Sequence, residues 1–370
     1  MKQLKHHIWI GMVALLTLVG CDVHEFPDVY VPFEMHLDFT SMTAEMPIYE
    51  EVYYTRDGAV AKEGADDAYD VRYIINAHRI DDKRNESRIP DATFVFTKPD
   101  LSDLNYTARF DLLEGTYKFR IWADYVDAGT TADKYYDTHD FSEIVLADRD
   151  NHPGSNDYRD AFRGYGTATV SNPVYNPDST LKYEVNNEVT IDMQRPMGKF
   201  KFVSTNADIF LNRVVQMMKE KGGQEPSPEV EANANLTYEQ LLRSIDLDDF
   251  YVVFRYHAFM PCAFNMFIDK PADSWTGVSF ASRMYSEDNM ELTLGYDYIF
   301  VNGAETTITL SLEVYNKEGE LMSSTNPIKV PIVRNKLTVV KGDFLTSKAS
   351  GGVAINPSFD GEDYNVEIKF

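Results

Sequence analysis

With 370 residues, 44% of them hydrophobic and 13% aromatic, the chain can bury more than one core, since single cores stop growing near about 250–300 residues. A formal charge of −24 excludes nucleic acid as a partner, because an acidic surface repels phosphate backbones and anionic membrane surfaces alike. The two cysteines, Cys21 and Cys262, are too few for a disulfide framework.

At the N-terminus, Lys2 and Lys5 precede an apolar run, Ile8 to Val19, broken only by Gly11 and Thr17. A membrane-spanning helix needs about 20 apolar residues, so this shorter run with a basic start reads as a secretory signal, residues 1–20. It ends in Leu18-Val19-Gly20-Cys21, which resembles the bacterial lipobox. That resemblance implies cleavage before Cys21 and acylation of its thiol and new amine by fatty-acid chains, palmitate among them. Two or more chains anchor stably where one does not, so the membrane is reached through the lipid. Loss of Lys2 and Lys5 takes the formal charge from −24 to −26.

After Cys21 the chain reads mostly as strands. Phe33 to Phe39 alternates apolar and polar residues, the period of a half-buried strand. Similar runs follow at Tyr69 to Ile75, Thr93 to Thr97, Thr107 to Leu112, Tyr117 to Tyr125 and Glu188 to Met193, with Pro, Gly, Asn and Asp clustered between them. Within "ARFDLLEGTYKFRIWADY", Glu114-Gly115 reads as a hairpin turn. Tyr117, Phe119, Ile121 and Ala123 share one face of the strand that follows, and Arg120 and Trp122 take the other. Asp148 to Asp160, "DRDNHPGSNDYRD", reads as a solvated loop.

A second strand-rich half has runs at Lys199 to Ser204, Phe250 to Tyr256, Asn289 to Leu294, Thr306 to Val314, Ile328 to Val333 and Leu337 to Lys341. Ala207 to Lys221 has helical spacing, and Thr237 with Gln240 predicts a capping box for a short helix to Ile245. Cys262, within "FMPCAF", reads as a buried core thiol. The C-terminal Asn365-Val366-Glu367-Ile368-Lys369-Phe370 alternates as a strand with one buried face. These patterns predict an all-β chain of antiparallel sandwiches with one or two short helices in its C-terminal domain.

The chemistry of enzymes is not legible. Nucleophile-elbow, dinucleotide, phosphate-loop, zinc-protease and Cys-x-x-Cys motifs are all missing from the sequence, so no catalytic, cofactor-binding or metal-binding residue is assigned and a non-enzyme is expected. Asp148, Asp150, Asn151, Asn156, Asp157 and Asp160 could offer oxygen to calcium, but Pro153 and Arg159 stand where an EF-hand loop needs Gly and Glu. The histidines of the mature chain are dispersed. Among the tryptophans, Trp275 in "DKPADSWTGVSF" is the better candidate for an exposed platform on which a sugar could stack.

The lipobox with "CDVHEFP", the "TYKFRIWADYVDAG" stretch, "NDYRDAFRG" at Asn156 to Gly164, "MQRPMGKFKF" at Met193 to Phe202 and "RNKLTVVKGDFLT" at Arg334 to Thr346 together resemble the fimbrillin superfamily of Bacteroidetes. Within it, the fimbrial anchor and fimbrillin-like lipoproteins are most similar. The resemblance implies two transthyretin-like β-sandwich domains, residues 21–190 and 191–370, joined near Arg195-Pro196. It also implies an outer-membrane, cell-surface location and other fimbrial subunits as partners.

The family's polymerising pilins are cut by an arginine-specific protease after the first strand, and a strand from a neighbour's C-terminus fills the groove so opened. An anchor keeps its lipid and its first strand. Between Cys21 and Arg56 there is no Lys or Arg, so Arg56 is the earliest cut site. Three readings stay open here: a lipid-anchored anchor or accessory subunit, a polymerising pilin cut at Arg56, and a surface lipoprotein that binds glycan or another ligand. The segment Asn365 to Phe370 is either a donor strand or the last strand of its own domain.

Overall fold

The computed structural model describes residues 29–43, 52–55, 58–61, 68–81, 83, 85–178, 180–183, 185–221, 237–286, 291–346 and 364–368. Cys21, Arg56, Lys369 and Phe370 lie outside them. The fold is mostly β, as the alternating runs predict, and most predicted strands extend a residue or a few beyond their expected bounds.

Among the described residues the first half forms a seven-stranded sheet. Its spatial order is Ala92–Lys98, Tyr69–Arg79, Gly115–Asp127, Ala161–Val170, Glu188–Gln194, Tyr30–Asp38 and Tyr106–Leu113. The sheet folds over on itself, so that Phe94 near one edge stacks on Phe110 near the other at 4.2 Å between ring centroids. The inner faces close on a core that includes Phe33, Met35, Tyr73, Ile75, Phe119, Ile121 and Ile191.

The Glu114-Gly115 turn is not a hairpin. Tyr106–Leu113 pairs with Tyr30–Asp38, while Gly115–Asp127 pairs with Tyr69–Arg79 and Ala161–Val170. The turn is an arch that carries the chain from one layer to the other. The alternating apolar residues on its two sides face each other across the core, and Phe33 contacts Phe110 at 5.6 Å and Phe119 at 5.5 Å. Alternation specifies which face is buried but not which strand lies alongside.

The second half has a sheet ordered Tyr285–Ser286, Leu292–Phe300, Met197–Ser204, Leu337–Gly342 and Tyr364–Ile368. A further sheet joins Ser279–Arg283, Phe250–Tyr256, Glu305–Asn316 and Leu321–Ser324, with Ile328–Val333 also on Glu305–Asn316. Between them Phe202 meets Phe254 at 5.7 Å, and Phe254 stacks on Phe280 at 4.7 Å. Ala207–Lys221 is helical and buries Ala207, Phe210, Leu211 and Val214 in this core, and Tyr238–Ser244 is a helix with the predicted Thr237–Gln240 capping box.

Antiparallel pairing dominates, with a repeated exception. In each half the first long strand runs parallel to a late one, Tyr30–Asp38 beside Glu188–Gln194 and Met197–Ser204 beside Leu337–Gly342. A parallel neighbour needs a long crossover, and the remainder of each half supplies it.

Among the strands that escaped the sequence reading, two did so for opposite reasons. Ala161–Val170 contains Gly164 and Gly166, which weaken a strand signal. Here a Cβ would collide with Met193 at the first and Ile191 at the second, so glycine is what lets the next strand cross closely. Met260–Asn265 is buried along nearly its whole length and shows no alternation. It joins Lys270–Trp275, Ile144–Leu146 and Tyr136–Asp137 in a four-stranded sheet built from both halves.

Candidate functional site

Over Tyr69–Arg79 and Gly115–Asp127 the outer face of the first sheet is covered rather than solvated. Tyr69–Arg79 is buried along both faces, and Ile74, Trp122, Tyr136, Phe141, Ile144, Leu146 and Ala161 belong to the core of the second half. Polar residues that share this face therefore had to find partners. Arg72 holds Asp124 in a two-pronged pair, Nε to Oδ1 at 2.9 Å and Nη2 to Oδ2 at 2.6 Å, and its Nη1 donates to Asp133 at 2.7 Å.

The segment Asp148 to Asp160 does not behave as a solvated loop. His152, Arg159 and Asp160 are buried. Asp157 and Asn156 start a single helical turn, with Asn156 Oδ1 accepting from Tyr158 N, and the turn aims successive charges at the second half. Lys199 Nζ donates to Asp157 Oδ1 at 2.5 Å, and Tyr298 donates its hydroxyl to the same oxygen at 3.0 Å. Arg195 Nε reaches both Asp160 oxygens at 2.7 and 3.0 Å. Farther along, Arg163 and Arg334 converge on Asp269 at 2.9 and 2.8 Å.

Asp297 is the hub of this clamp, with its side chain fully buried. Oδ1 accepts from Arg159 Nη1 and from Tyr298 N at 2.8 Å, and Oδ2 accepts from Tyr256 Oη and His152 Nε2, each at 2.7 Å. A carboxylate only accepts, so His152 carries its proton on Nε2. Burial by itself would raise the Asp297 pKa, but the Arg159 guanidinium, His152 and the hydroxyl of Tyr256 hold it well below the usual carboxylate range.

The motifs "NDYRDAFRG", "MQRPMGKFKF" and "RNKL" thus supply Asp157, Arg159, Asp160, Arg163, Arg195, Lys199 and Arg334 to one junction. Sequence reading located the motifs but not their meeting. The legible signal was a run of alternating opposite charges with no helical or strand period to place it on a surface.

Carboxylates that could have offered oxygen to calcium are engaged elsewhere. Asp157 and Asp160 hold cations, and Asp148 accepts from the backbone N–H of Asn151 at 3.1 Å. Among the described residues no group of three or more His, Cys, Asp or Glu is placed to hold a metal. Cys262 is buried, as expected of a core thiol, and burial pushes its pKa up to about 12. Trp275 is not an open platform: it is half-buried and packs against the second core.

The remaining candidate surface is the first strand. Tyr30–Asp38 is an interior strand, paired antiparallel from Tyr30↔Leu113 to Leu37↔Tyr106 and parallel from Glu34↔Glu188 to Asp38↔Asp192. Val31, Phe33, Met35 and Leu37 point inward, and Glu34 faces outward in a 2.7 Å ion pair with Arg109. Arg56 itself is not described, but the strands flanking it, Val52–Thr55 and Gly58–Ala61, pair with Thr55 opposite Gly58. At the other end of the chain, Tyr364–Ile368 lies parallel to Leu337–Gly342 as an edge strand of the second half.

An all-β protein of two cores locked by a buried ionic clamp, with strands at its two ends in very different settings, is the class these features define. The chain belongs to DUF6562, a family of unknown function, whose profile matches residues 34–369. No curated protein matches the sequence. Among solved structures it is similar to the fimbrial anchor protein Mfa2 from Porphyromonas gingivalis, at 9% identity and TM-score 0.33 over 80% of this chain and 82% of that one. It is also similar to a fimbrial assembly protein from Parabacteroides distasonis, at 10% identity and TM-score 0.33, covering 85% and 91%. A candidate adhesin from Bacteroides ovatus gives 9% identity and TM-score 0.38, covering 88% and 94%.

Proposed function

We propose that the protein is a non-catalytic fimbrial subunit held at the outer membrane by lipid on Cys21, acting as an anchor or accessory component. The observation that carries this reading is the setting of the first strand. Only residues 22–29 separate Cys21 from Tyr30, so a lipid at Cys21 is tied directly to a strand paired on both sides. Each large apolar side chain of that strand adds about 1.5–3 kcal/mol when fully buried. A subunit that keeps its lipid and first strand has a filled groove and a fixed base.

Cys21→Ser is expected to move the protein from the membrane fraction to the soluble fraction. An unchanged distribution would argue against the lipid anchor. N-terminal analysis of native membranes and sheared filaments separates the two fimbrial readings. An acylated Cys21 terminus in both supports the anchor or accessory role, and a terminus at Asp57 in filaments makes the protein a polymerising pilin cut at Arg56.

The C-terminal segment is proposed as the strand offered to the next subunit. Among the described residues it is an edge strand with a single neighbour, so giving it up breaks one ladder while main-chain bonds to a new partner replace it. Deleting Asp363 to Phe370 is expected to abolish co-purification of other fimbrial subunits while the melting temperature stays within a few degrees. A large destabilisation would instead assign the strand to its own domain.

A further inference from the structure

At one end of the first half the start of the first strand, a separate hairpin and exposed apolar side chains coincide. Val170 pairs opposite Gly115 and Leu113 opposite Tyr30, so the last residues of Ala161–Val170, the Gly115 arch and the start of Tyr30–Asp38 share that end. There the chain leaves the sheet into a hairpin of its own, Val174–Tyr175 paired with Leu181–Tyr183, and returns at Glu188. Ser171 and Asn187 tie its base: Ser171 N donates to Asn187 Oδ1 and Asn187 Nδ2 to the Ser171 carbonyl, each at 3.0 Å. The parallel register sets Glu34 beside Glu188, so Tyr30 to Phe33 run past the start of that strand by about 13 Å, on the side from which the hairpin returns. Val29, Tyr30, Leu181 and Tyr183 are all 50–61% exposed.

Exposed apolar residues gathered in one place mark a surface for protein or for lipid, and the tether decides between them. This step rests on the lipid at Cys21 proposed above. Residues 22–29 can span at most about 29 Å when fully extended, so a lipid at Cys21 holds this end within that distance of the bilayer. A folded partner domain is about 30 Å across and has no room in the gap. Tyrosine suits the layer where headgroups meet acyl chains, its ring in the apolar part and its hydroxyl in the wet part. Lys182, with Nζ 5.3 Å from the Tyr183 ring, can reach up to headgroup phosphates. Glu114, Asp178 and Glu188 are exposed at the same end, which sets it against an anionic surface and leaves zwitterionic headgroups.

We propose that this end of the first half is a membrane-seating surface, with Val29, Tyr30, Leu181 and Tyr183 resting in a zwitterionic lipid interface and fixing the protein's orientation on its anchor. For the test, the chain is produced without residues 1–20 and coupled through the Cys21 thiol to maleimide lipid in phosphatidylcholine vesicles. Cys262 does not compete, because it is buried and its thiol pKa is pushed up to about 12. Tyr183→Trp places an indole on the seating hairpin, and Leu321→Trp places one on an exposed hairpin of the second half. Bromine on the acyl chains is expected to quench the emission of tethered Tyr183→Trp beyond that of the wild-type chain, and to leave Leu321→Trp at the wild-type level. Adding Leu181→Asp to Tyr183→Trp is expected to abolish the extra quenching with the melting temperature held, since Leu181 is exposed. Absence of extra quenching in Tyr183→Trp, equal quenching at both hairpins, or quenching untouched by Leu181→Asp would overturn the proposal. So would an emission change in Tyr183→Trp that comes only with added fimbrial subunits, which would give this end to a protein. Because the tether is imposed chemically, a negative result strikes the seating alone, whereas failure of the lipid reading shows in the fractionation of Cys21→Ser.

Discussion

Trp122→Ala is expected to destabilise the protein by about 3–5 kcal/mol, and to do so in the half of the molecule that does not contain it. Trp122 lies on Gly115–Asp127, a strand of the first sheet, yet it points away from the first core. Its ring is fully buried against Tyr136 at 5.4 Å and Phe300 at 6.4 Å, and its Nε1 donates to Asp124 Oδ2 at 3.3 Å. Truncation opens a cavity in the second core and removes a donor from the carboxylate that Arg72 holds. Urea unfolding followed by fluorescence checks this, because in a chain produced without residues 1–20, and so without Trp9, the variant's tryptophan emission comes from Trp275. The Trp275 transition should move to lower urea together with the circular-dichroism transition. A Trp275 midpoint that stays at its wild-type value would mean that the second core does not depend on the first sheet.

The alternating faces were readable from the sequence, and the partnership between halves was not. Tyr117, Phe119, Ile121 and Ala123 do line the first core, and Trp122 does take the opposite face, because a strand's period of two fixes which residues point together. What lies over that opposite face depends on contacts between residues more than a hundred positions apart, such as Arg159 with Asp297. No local pattern encodes these. The same limit explains the arch at Gly115 and the buried strand at Met260–Asn265. Lys199 and Arg195 were visible as charges within "MQRPMGKFKF", but a buried ion pair and a surface lysine look alike until both partners are placed.

The clamp also bears on how the two halves are held together. Hydrophobic burial resists exposure to water but is non-directional. Paired charges with satisfied hydrogen bonds fix one geometry, a role attested for buried polar groups in registering one element against another. Here four acidic residues, Asp157, Asp160, Asp269 and Asp297, each bind a cation across the junction between sheets. We read this as an orientation lock between the half that carries the first strand and the half that carries the C-terminal strand.

Asp297→Asn should show how much of that lock is electrostatic. The change leaves the side chain's shape intact but strands the Arg159 guanidinium, 1% exposed, without its carboxylate. Breaking a buried pair in this way costs about 3–5 kcal/mol at pH 7. The pH dependence follows from the depressed carboxyl. A group whose folded pKa lies below its unfolded value near about 3.9 stabilises the fold above that value. The contribution is lost as pH falls through the folded value. The stability gap between wild type and Asp297→Asn should therefore be full at pH 7, still nearly full at pH 5, and smaller at pH 3, where the unfolded wild-type carboxyl takes up a proton that the folded one resists. Urea midpoints at the three pH values provide the measurement. A gap of equal size throughout would assign the loss to altered hydrogen bonding at Tyr256 and His152 rather than to charge, and Asp297 would then be a polar strut instead of the counter-ion that holds the two halves in register.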